Sequence, residues 1–529
     1  MRIHRAPFAQ LQLLPALISG YLSGAKALAP FYQYPFEFSS FRKVIANKKF
    51  SDRNRNVLAD ALTAQYAGVA APPAVLKNIA KLREGKTFTI TTAHQPVIFT
   101  GPLYFIYKIL CAINIAEQLN AAEPDCHFVP VYFMGAEDHD FEEINHLWVG
   151  GEKLEWQAKG GGAVGRLRTE GLDEVLAQME NQLREKPYAA ELFDIFRNTY
   201  VKHETLAKAT LHFVNRLFGE YGLVALNPDN RELKSLFTHV IEDEILNGRS
   251  FSLATKTIAE LEALGYGIQA APREINLFYL NGNSRERITA ESDSYKVLNT
   301  AHVFSRDEII REARECPEKF SPNVMLRPLY QETILPNLAY VGGAGELSYW
   351  LEQKSIFDYF KVNFPMLVLR SSALLVDAAV QKKAEKSGLR WEDFFEEEEA
   401  LVKNFVKRTS SNSLDFSAEK KSVEDLFLHI REKAVAVDTT LGGSAEALKA
   451  SFLNGLDGFE KKILKAEKRN LDTAIAQVKA VKSKLFPQRA LQERVENFSS
   501  YYVQSGKQFF QELKQELDPF KKELLILSI

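Results

Sequence analysis

The chain is poor in cysteine, has no long apolar run and carries no excess of one charge, and each scarcity excludes a class of protein. Three cysteines in 529 residues, without a CxxC spacing, cannot form a disulfide framework, and they disfavour a structural zinc site. Such cysteine usage predicts a reducing, cytoplasmic location. No run of about 18 apolar residues occurs, so no membrane span is predicted. The 66 basic and 68 acidic residues nearly cancel, which predicts no nucleic-acid partner.

The length of 529 residues predicts several domains, because one hydrophobic core rarely organises more than about 250–300 residues. The first residues imitate a secretory leader, but Gln10, Gln12 and Pro15 interrupt the apolar stretch, so we expect no cleavage there. Composition and periodicity predict five segments: an N-terminal helical layer (1–85), the first half of an α/β core (86–150), an insertion (151–320), the second half of the core (321–378) and an α-helical coiled-coil domain (379–529).

Alternating strand and helix patterns predict that the core contains a parallel sheet. The run "KTFTITTA" (86–93) predicts a buried strand, "GPLYFIYKILCAINIAEQLN" a helix and "HFVPVYFMG" (127–135) a second strand. The loops that follow both strands of such a unit open on the same edge of the sheet. A third unit is predicted in "TILPNLAYVGGAGELSYWLEQKSIFDYF", and "FPMLVLRSSALLV" predicts one more buried strand.

The loop after the first strand begins with His94 and Gln95, and Thr100 and Gly101 open the next helix. Backbone N–H groups at a helix start favour an anion, over which His94 would stand as a donor or proton shuttle. A plain turn between strand and helix explains the same residues equally well. Lys108 lies too far along the helix to be assigned to the anion.

The loop after the second strand, "VPVYFMGAEDHDFEEINH", concentrates acidic residues around His139. Asp138, His139, Asp140 and His146 could supply mixed nitrogen and oxygen ligands to a metal, but their spacing matches no standard zinc pattern. Acid/base chemistry needs only one carboxylate paired with a histidine. Asp140 and Glu143 fit the first turn of a helix and are expected to cap it. Three residues remain as candidates for binding or proton transfer: Glu137, Asp138 and His139.

The loop after the third strand is rich in glycine. Gly342, Gly343 and Gly345 would let a ligand approach the backbone. Glu346 could accept hydrogen bonds from ribose hydroxyls or from an ammonium group. The pattern is neither GxGxxG nor a Walker loop, so this binding role stays general.

Two arginines belong to the same region of the predicted sheet. Arg327 and Arg370 are candidates for binding a carboxylate or a phosphate. The alternative is that either arginine pairs with Glu332 or Glu346 inside the protein.

Beyond residue 377 the chain is rich in Glu, Lys, Ala and Leu. Apolar residues every three or four positions from Leu448 to Leu485 predict a long amphipathic helix that ends before Pro487. A second periodic set, from 491 to 517, predicts a returning antiparallel helix. Since two such helices leave apolar surface to bury, we expect a coiled-coil arm that dimerises rather than a structural appendage.

The blocks "HQPVIFTGPLYFIYK", "VPVYFMGAEDHDFEEINH" and "SPNVMLRPLYQETILPNLAYVGGAGELSYW", together with the charged helical tail, resemble the BshC family of bacillithiol biosynthesis. The resemblance implies a nucleotidyltransferase-like Rossmann core, similar to class I aminoacyl-tRNA synthetases, with inserted connecting peptides and a C-terminal coiled coil that forms a homodimer. It also implies a cysteine ligase that joins L-cysteine to the amine of glucosaminyl-malate. By this resemblance, His94 would take the position of the first histidine of the synthetase HIGH signature. The segment "RSSALL" would lie where those enzymes have the KMSKS loop.

Amide formation in water requires an activated carboxyl group, and ATP is the suspected cosubstrate. Asp138 or His139 would be the base that keeps the sugar amine neutral. His94 and the backbone at Gly101 would stabilise the activated carboxyl group, and Arg327, or else Arg370, would hold the malate carboxylates. By analogy with synthetases, the glycine loop and Glu346 would hold the nucleotide ribose or the amino acid.

Two other functions fit parts of the pattern. A metal-dependent hydrolase would use Asp138 and His139 with a metal-bound water. A non-catalytic scaffold would combine nucleotide binding with the coiled coil.

Overall fold

The computed structural model describes residues 2–292, 294–410, 412 and 415–529. The chain separates into two compact units. The smaller unit consists of Met1–Ala6, Leu374–Leu491 and Ile526–Ile529, and the larger unit consists of Pro7–Ala373 and Gln492–Leu525.

Short helices dominate the N-terminal part of the chain. The elements are β1 (Arg2–Pro7), α1 (Phe8–Leu11), α2 (Ala16–Leu22), α3 (Phe41–Asn47), α4 (Asp52–Gln65) and α5 (Pro73–Lys81). Ser51 begins α4, because its hydroxyl accepts the N–H of Asn54 at 3.1 Å. Pro73 lies in the first turn of α5, where the missing N–H costs nothing.

The first predicted strand–helix–strand unit is present as β2 (Thr87–His94), α6 (Tyr104–Ala122) and β3 (His127–Met134). The two strands pair in parallel from Thr87 opposite His127 to His94 opposite Met134. Both strands are buried on both faces, which explains their nearly continuous apolar and Thr-rich sequences. The ends of both strands therefore lie side by side, and the loops that follow them are neighbours.

The segment between the two halves of the core contains helices and a second, antiparallel sheet. Its elements are α7 (Phe141–Ile144), β4 (His146–Val149), β5 (Glu152–Glu155), α8 (Leu172–Leu183), α9 (Ala189–Phe196), α10 (Leu206–Phe218), β6 (Val224–Leu226), α11 (Arg231–Ser235), α12 (Thr238–Asn247), α13 (Arg249–Ala263), β7 (Leu277–Asn281), β8 (Ser284–Glu291), β9 (Ser294–Val297), β10 (Val303–Ser305), α14 (Arg306–Glu315) and β11 (Phe320–Pro322). Strands β10, β9, β8, β7 and β11 form the antiparallel sheet in that order. Strands β4 and β5 form a short hairpin that begins at His146, before the predicted start of the insertion.

The second half of the core returns to the parallel sheet. Its elements are α15 (Arg327–Ile334), β12 (Asn337–Gly342), α16 (Ala344–Leu351), α17 (Lys354–Phe360), β13 (Met366–Leu369) and β14 (Ser372–Val376). The single strand predicted for "FPMLVLRSSALLV" is wrong, because the chain forms two strands. Arg370 separates them, and its N–H donates to Gly342 O at 2.9 Å, next to the glycine loop.

The parallel sheet has the order β13-β12-β2-β3-β6. Counted along the chain, this is the 3-2-1-4-5 order of Rossmann folds, in which strand order reverses beside the first strand. The reversal lies between β2 and β12, so His94 and the glycine loop end neighbouring strands at the point where such sheets bind ligands. The edge strand β6 lies inside the predicted insertion and had no clear sequence signal.

The smaller unit is mostly helical. It contains α18 (Ala378–Ser387), α19 (Glu398–Thr409), α20 (Ser417–Val437), α21 (Leu441–Asn470) and α22 (Asp472–Leu485). Helices α20 and α21 are joined by a short turn into an antiparallel hairpin. Lys420 bonds Asp457 and Glu460 across it at 2.6 and 2.7 Å, and the rings of Phe427 and Phe452 are 6.2 Å apart.

The single long helix predicted from Leu448 to Leu485 is two helices, α21 and α22, which are separated at Leu471, and the second ends before Pro487 as predicted. The predicted returning helix over 491–517 is wrong. The segment forms α23 (Ser499–Ser505) and α24 (Lys507–Glu516), followed by β15 (Glu523–Ser528). Gly506, at φ +60°, breaks the helix between α23 and α24. Its periodic aromatic residues pack within the larger unit, where Phe498 contacts Phe196 and Phe213. The helix that pairs with α21 is α20, which precedes it.

Across the described residues, the helices are too short or too polar to cross a bilayer.

Candidate active site

A cavity of about 940 Å³ lies in the larger unit where β2, β3 and β12 end. Its walls combine the three core loops with parts of the antiparallel sheet. Ten of the sequence-predicted site residues line it: His94, Gln95, Glu137, Asp138, His139, Arg327, Gly343, Gly345, Glu346 and Arg370. The expected convergence of the three loops on one sheet edge is therefore present.

Three predicted residues lie outside the cavity lining: Thr100, Gly101 and Gly342. The side-chain amide of Asn497 donates to Gly101 O at 2.6 Å, and the N–H of Leu103 donates to Glu496 O at 2.8 Å. The start of α6 is thus packed against another segment, and the predicted anion site is not open to the cavity. Gly342 is packed too, since a Cβ there would lie 2.8 Å from Leu347 and from Tyr340.

His94 occupies the end of β2 beside the cavity. Its Nε2 is buried and has no hydrogen-bond partner among the described residues. Burial, helped by the charge of Lys108, lowers the pKa of His94 to about 3. The imidazole is therefore neutral near pH 7, and its Nε2 is an unsatisfied polar atom at the cavity wall.

Lys108 and Glu346 form a buried ion pair at the switch point. Lys108 also donates to Ala93 O at 2.9 Å, while Glu346 accepts from Tyr340 OH at 2.5 Å and from the Gly343 N–H at 2.8 Å. Burial opposes ionisation of Glu346, but Lys108 and the Gly343 N–H outweigh it and lower its pKa to about 2. The carboxylate predicted to hold a ligand is thus already used to fix the glycine loop.

The ion pair of Lys108 is not among the sequence predictions, although the sequence contains a signal for it. It is the lone charged residue in the buried run from Phe105 to Ala116 of α6. A charge on the apolar face of a helix indicates a buried partner.

Asp138 and His139 form a network with Gln95 and Arg285. Asp138 accepts from Gln95 at 2.7 Å and from the His139 N–H at 2.7 Å. Burial would raise the pKa of Asp138, but contacts with His139, the charge of Arg285 and the bond from Gln95 lower it well below its usual range. Asp138 is consequently ionised at physiological pH.

Arg285 was not identified from the sequence. It lies on β8, is 8% exposed, and places its guanidinium 3.9 Å from the Phe278 ring centre. Its Nη1 is 2.8 Å from Nδ1 of His139, whereas Asp138 is 3.6 Å from that nitrogen. Since arginine can only donate, Nδ1 accepts, and neutral His139 carries its proton on Nε2.

The other acidic residues of the second loop have structural partners. Glu137 bonds the buried ammonium of Lys234 at 2.5 Å, and burial raises the Glu137 pKa. Asp140 caps α7 as predicted, accepting the Glu143 N–H at 3.2 Å. Glu143 is not a cap, because its carboxylate accepts from Gln95 at 2.8 Å. Within the described ranges, three or more His, Cys, Asp or Glu side chains are nowhere grouped to hold a metal ion.

The two predicted arginines have partners other than the expected acids. Arg370 bonds Glu493 at 2.6 Å, and Arg327 donates to Tyr349 OH at 2.8 Å. Glu332 instead faces Lys48 at 3.6 Å. The Nε of Arg370 is buried without a partner among the described residues, so it is a second unsatisfied polar atom at the cavity wall.

The charged side chains of the cavity favour an anionic ligand. Seven cationic side chains line it, against four carboxylates. The cations are Lys108, Arg273, Arg285, Arg287, Arg327, Arg370 and Arg494.

The fold and the cavity define a Rossmann-like α/β protein with a cation-rich ligand site at the switch point of its sheet. Residues 1–371 match the family model described as the N-terminal Rossmann-like domain of bacillithiol biosynthesis BshC, and residues 373–529 match its C-terminal coiled-coil domain. The chain belongs to the BshC family. The predicted Rossmann-like core and coiled-coil domain are confirmed.

Curated relatives are similar over nearly the whole chain. The candidate cysteine ligase BshC of Flavobacterium johnsoniae is 42% identical, with 97% of each chain covered. Those of Flavobacterium psychrophilum and Christiangramia forsetii are 41% and 40% identical, with 97% of this chain covered and 97% and 96% of theirs. A solved structure titled as a candidate arginyl-tRNA synthetase of Campylobacter jejuni aligns at 11% identity over 88% of this chain and 92% of that one, with a TM-score of 0.21, too low to indicate a shared fold.

Proposed function

We propose that the protein is a cysteine ligase that joins the carboxyl group of L-cysteine to the amine of glucosaminyl-malate, the last step towards bacillithiol. The observation that supports this most is the meeting of His94, Asp138 and the glycine loop in one cation-rich cavity, in a chain of the BshC family. We place the reaction in the cytoplasm, because the three cysteines are free thiols.

Asp138 is the base that we propose. Its carboxylate is ionised and faces the cavity, so it can attract and orient the sugar amine. Its lowered pKa makes it a weak base, so a proton that it takes from the amine as the amide forms passes on to water. His139 cannot share this role in its neutral form, because Arg285 occupies the lone pair of Nδ1 and Nε2 carries the proton. We assign His139 a hydrogen-bond donor role towards the acceptor sugar.

His94 and Arg370 suit the developing negative charge of the reacting carboxyl group. Each has one unpaired nitrogen at the cavity wall, and Arg370 is fixed by its bond to Glu493. Arg370 always donates, and we assign His94 the tautomer that carries its proton on Nε2. Donors fixed before the reaction stabilise an oxyanion better than donors that must first reorganise. ATP is the cosubstrate that we propose, and it would supply the activation of the cysteine carboxyl group. Gly343 and Gly345 would hold its ribose. Arg327, which donates to Tyr349 OH, would contact the nucleotide from the same cavity.

The alternative functions leave these features without a use. A metal-dependent hydrolase needs at least three ligands, and the described residues near Asp138 and His139 do not offer a third. A scaffold does not need two buried nitrogens left unpaired in a cavity wall.

Purified protein, glucosaminyl-malate, L-cysteine and ATP, followed by mass spectrometry, test this proposal. We expect the amide product together with AMP or ADP. If neither the protein alone nor the protein with an extract lacking it gives product, the ligase proposal is wrong.

We also propose that the protein is a homodimer joined through the α20–α21 hairpin. Leu448, Phe452 and Phe459 on α21 are 53–59% exposed, although each belongs to the periodic apolar set. On α20, Leu426 and Leu428 are 57% and 52% exposed. Apolar side chains concentrated on a long hairpin match the self-complementary surface of a twofold dimer.

A further inference from the structure

Two arginines at the outer end of the cavity have no assigned role. Arg273 precedes β7 and Arg287 lies on β8, and both line the main cavity. They also line a smaller adjoining cavity of about 290 Å³, which therefore continues the main one. Among the described residues, neither guanidinium forms an ion pair with a carboxylate. Each is thus a cation with its donors available at a concave surface.

Strand geometry orders these arginines relative to the proposed base. Arg285 and Arg287 are two residues apart on β8, so their side chains leave the same face about 6.7 Å apart. Arg285 contacts His139, which adjoins Asp138, so Arg287 lies two residues further along β8 from that contact. Phe278, opposite Arg287 on β7, lies beneath the Arg285 guanidinium. One strand therefore connects the proton-transfer end of the cavity with its outer, cationic end.

The chemistry of the outer cavity fits carboxylates. Arginine binds carboxylates through two parallel N–H bonds, and its charge does not depend on pH in the physiological range. The remaining lining is largely apolar, with Phe251, Ile275 and Ile288, and Glu274 is the acidic member of the described lining. A nucleotide base or an ammonium group would not use two guanidinium groups.

We propose that Arg273 and Arg287 form a carboxylate subsite that holds the dicarboxylate end of the acceptor sugar. This inference rests on the proposed ligase function and deepens it. In a glucosaminide the amine and the aglycone are attached to neighbouring carbons. The acceptor can therefore place its amine at Asp138 while its malate group extends along β8 to Arg287. The subsite replaces Arg327, which the sequence favoured for the malate group.

Binding calorimetry without cysteine tests the subsite directly. The ligands are glucosaminyl-malate, methyl glucosaminide, L-malate and ATP, and the proteins are the wild type, Arg273→Met and Arg287→Met. Loss of charge-assisted bonds should lower the affinity for glucosaminyl-malate by about 10- to 100-fold in each variant. The affinity for L-malate should fall in parallel, whereas methyl glucosaminide and ATP should bind as they do to the wild type.

Three control variants sharpen the test. Arg311→Met removes an exposed arginine of α14 that lines neither cavity, and should change nothing. Glu274→Gln removes the nearby negative charge and should raise the affinity for glucosaminyl-malate by up to about fivefold. Arg287→Lys keeps the charge without the paired donors and should fall between the wild type and Arg287→Met. Thermal unfolding of each variant establishes that it is folded.

Several results would overturn the subsite. These are no binding of glucosaminyl-malate to the wild type, unchanged affinity in both methionine variants, or an equal loss for methyl glucosaminide. A loss of ATP affinity instead would assign the arginines to the nucleotide. Failure of amide formation with the expected binding pattern would refute the ligase proposal and leave the subsite standing.

Discussion

The cavity and the α20–α21 hairpin place their side chains in opposite ways. In the cavity, charged groups such as Lys108, Glu346 and Arg370 are withdrawn from water and joined in networks. On the hairpin, large apolar groups such as Leu448 and Phe452 remain in contact with water. Both arrangements are costly for an isolated chain. We infer from this difference that the cavity suits an anionic ligand and that the hairpin suits contact with another apolar surface.

The largest effect is expected for Lys108→Met, which leaves the partly buried Glu346 without its cation. Removing one partner of a buried pair costs about 3–5 kcal/mol of the free energy of unfolding, which urea denaturation measures. The double variant Lys108→Met/Glu346→Gln should recover most of the loss. Lys81→Met, which breaks an exposed pair with Glu84, is the control and should have little effect. A loss for Lys108→Met as small as that of the control would contradict the described network.

The hairpin should respond in its association rather than in its folding. Leu448→Glu places a charge in the proposed dimer surface, away from the Phe427–Phe452 contact, and should weaken the dimer by about 2–4 kcal/mol. Sedimentation velocity across a concentration series measures this. Lys461→Glu changes an exposed charge on the opposite face of the same helix and serves as the control. A wild-type protein that stays monomeric at all concentrations would refute the dimer.

Arg285 should act on the rate through His139. Arg285→Met frees Nδ1 and removes the tautomer preference, so kcat should fall by about 100-fold. Nitrogen-15 NMR of His139 gives a direct signature: in the wild type, Nδ1 should be the unprotonated nitrogen, and in Arg285→Met the two tautomers should mix. Arg285→Lys should retain part of both signals. An unchanged nitrogen-15 spectrum in Arg285→Met would show that the arginine does not set the tautomer.

The pH dependence of stability should depend on Glu352, which accepts the N–H groups of Gln269 and Ala270 beside the cavity. Burial raises its pKa from 4.5 to about 7. The folded state then binds a proton that the unfolded state has lost, so this contribution is present below pH 4.5 and is lost as pH rises to 7. The wild type should therefore lose about 2–3 kcal/mol relative to Glu352→Gln between pH 4.5 and 7. Parallel stability curves for the two proteins would contradict the raised pKa.

Residues at strand ends were predictable, and their distant partners were not. His94, Asp138 and Glu346 follow buried strands, and parallel topology alone brings such positions together. Arg285 and Glu493 reach the site from the insertion and from beyond the helical unit, and no local pattern records those contacts. The returning helix was mispredicted because the period of 491–517 is helical, while its apolar side chains pack within the larger unit.

We propose that the cavity at the switch point forms the amide bond. The most direct measurement is the rate of product formation, by mass spectrometry, for His94→Ala, Asp138→Asn and Glu142→Gln. Glu142 is an exposed acid four residues from Asp138 that does not line the cavity, so its variant is the matched control. We expect the first two rates to fall by about 100-fold or more, and the control to keep the wild-type rate. Wild-type rates in both His94→Ala and Asp138→Asn would contradict the claim.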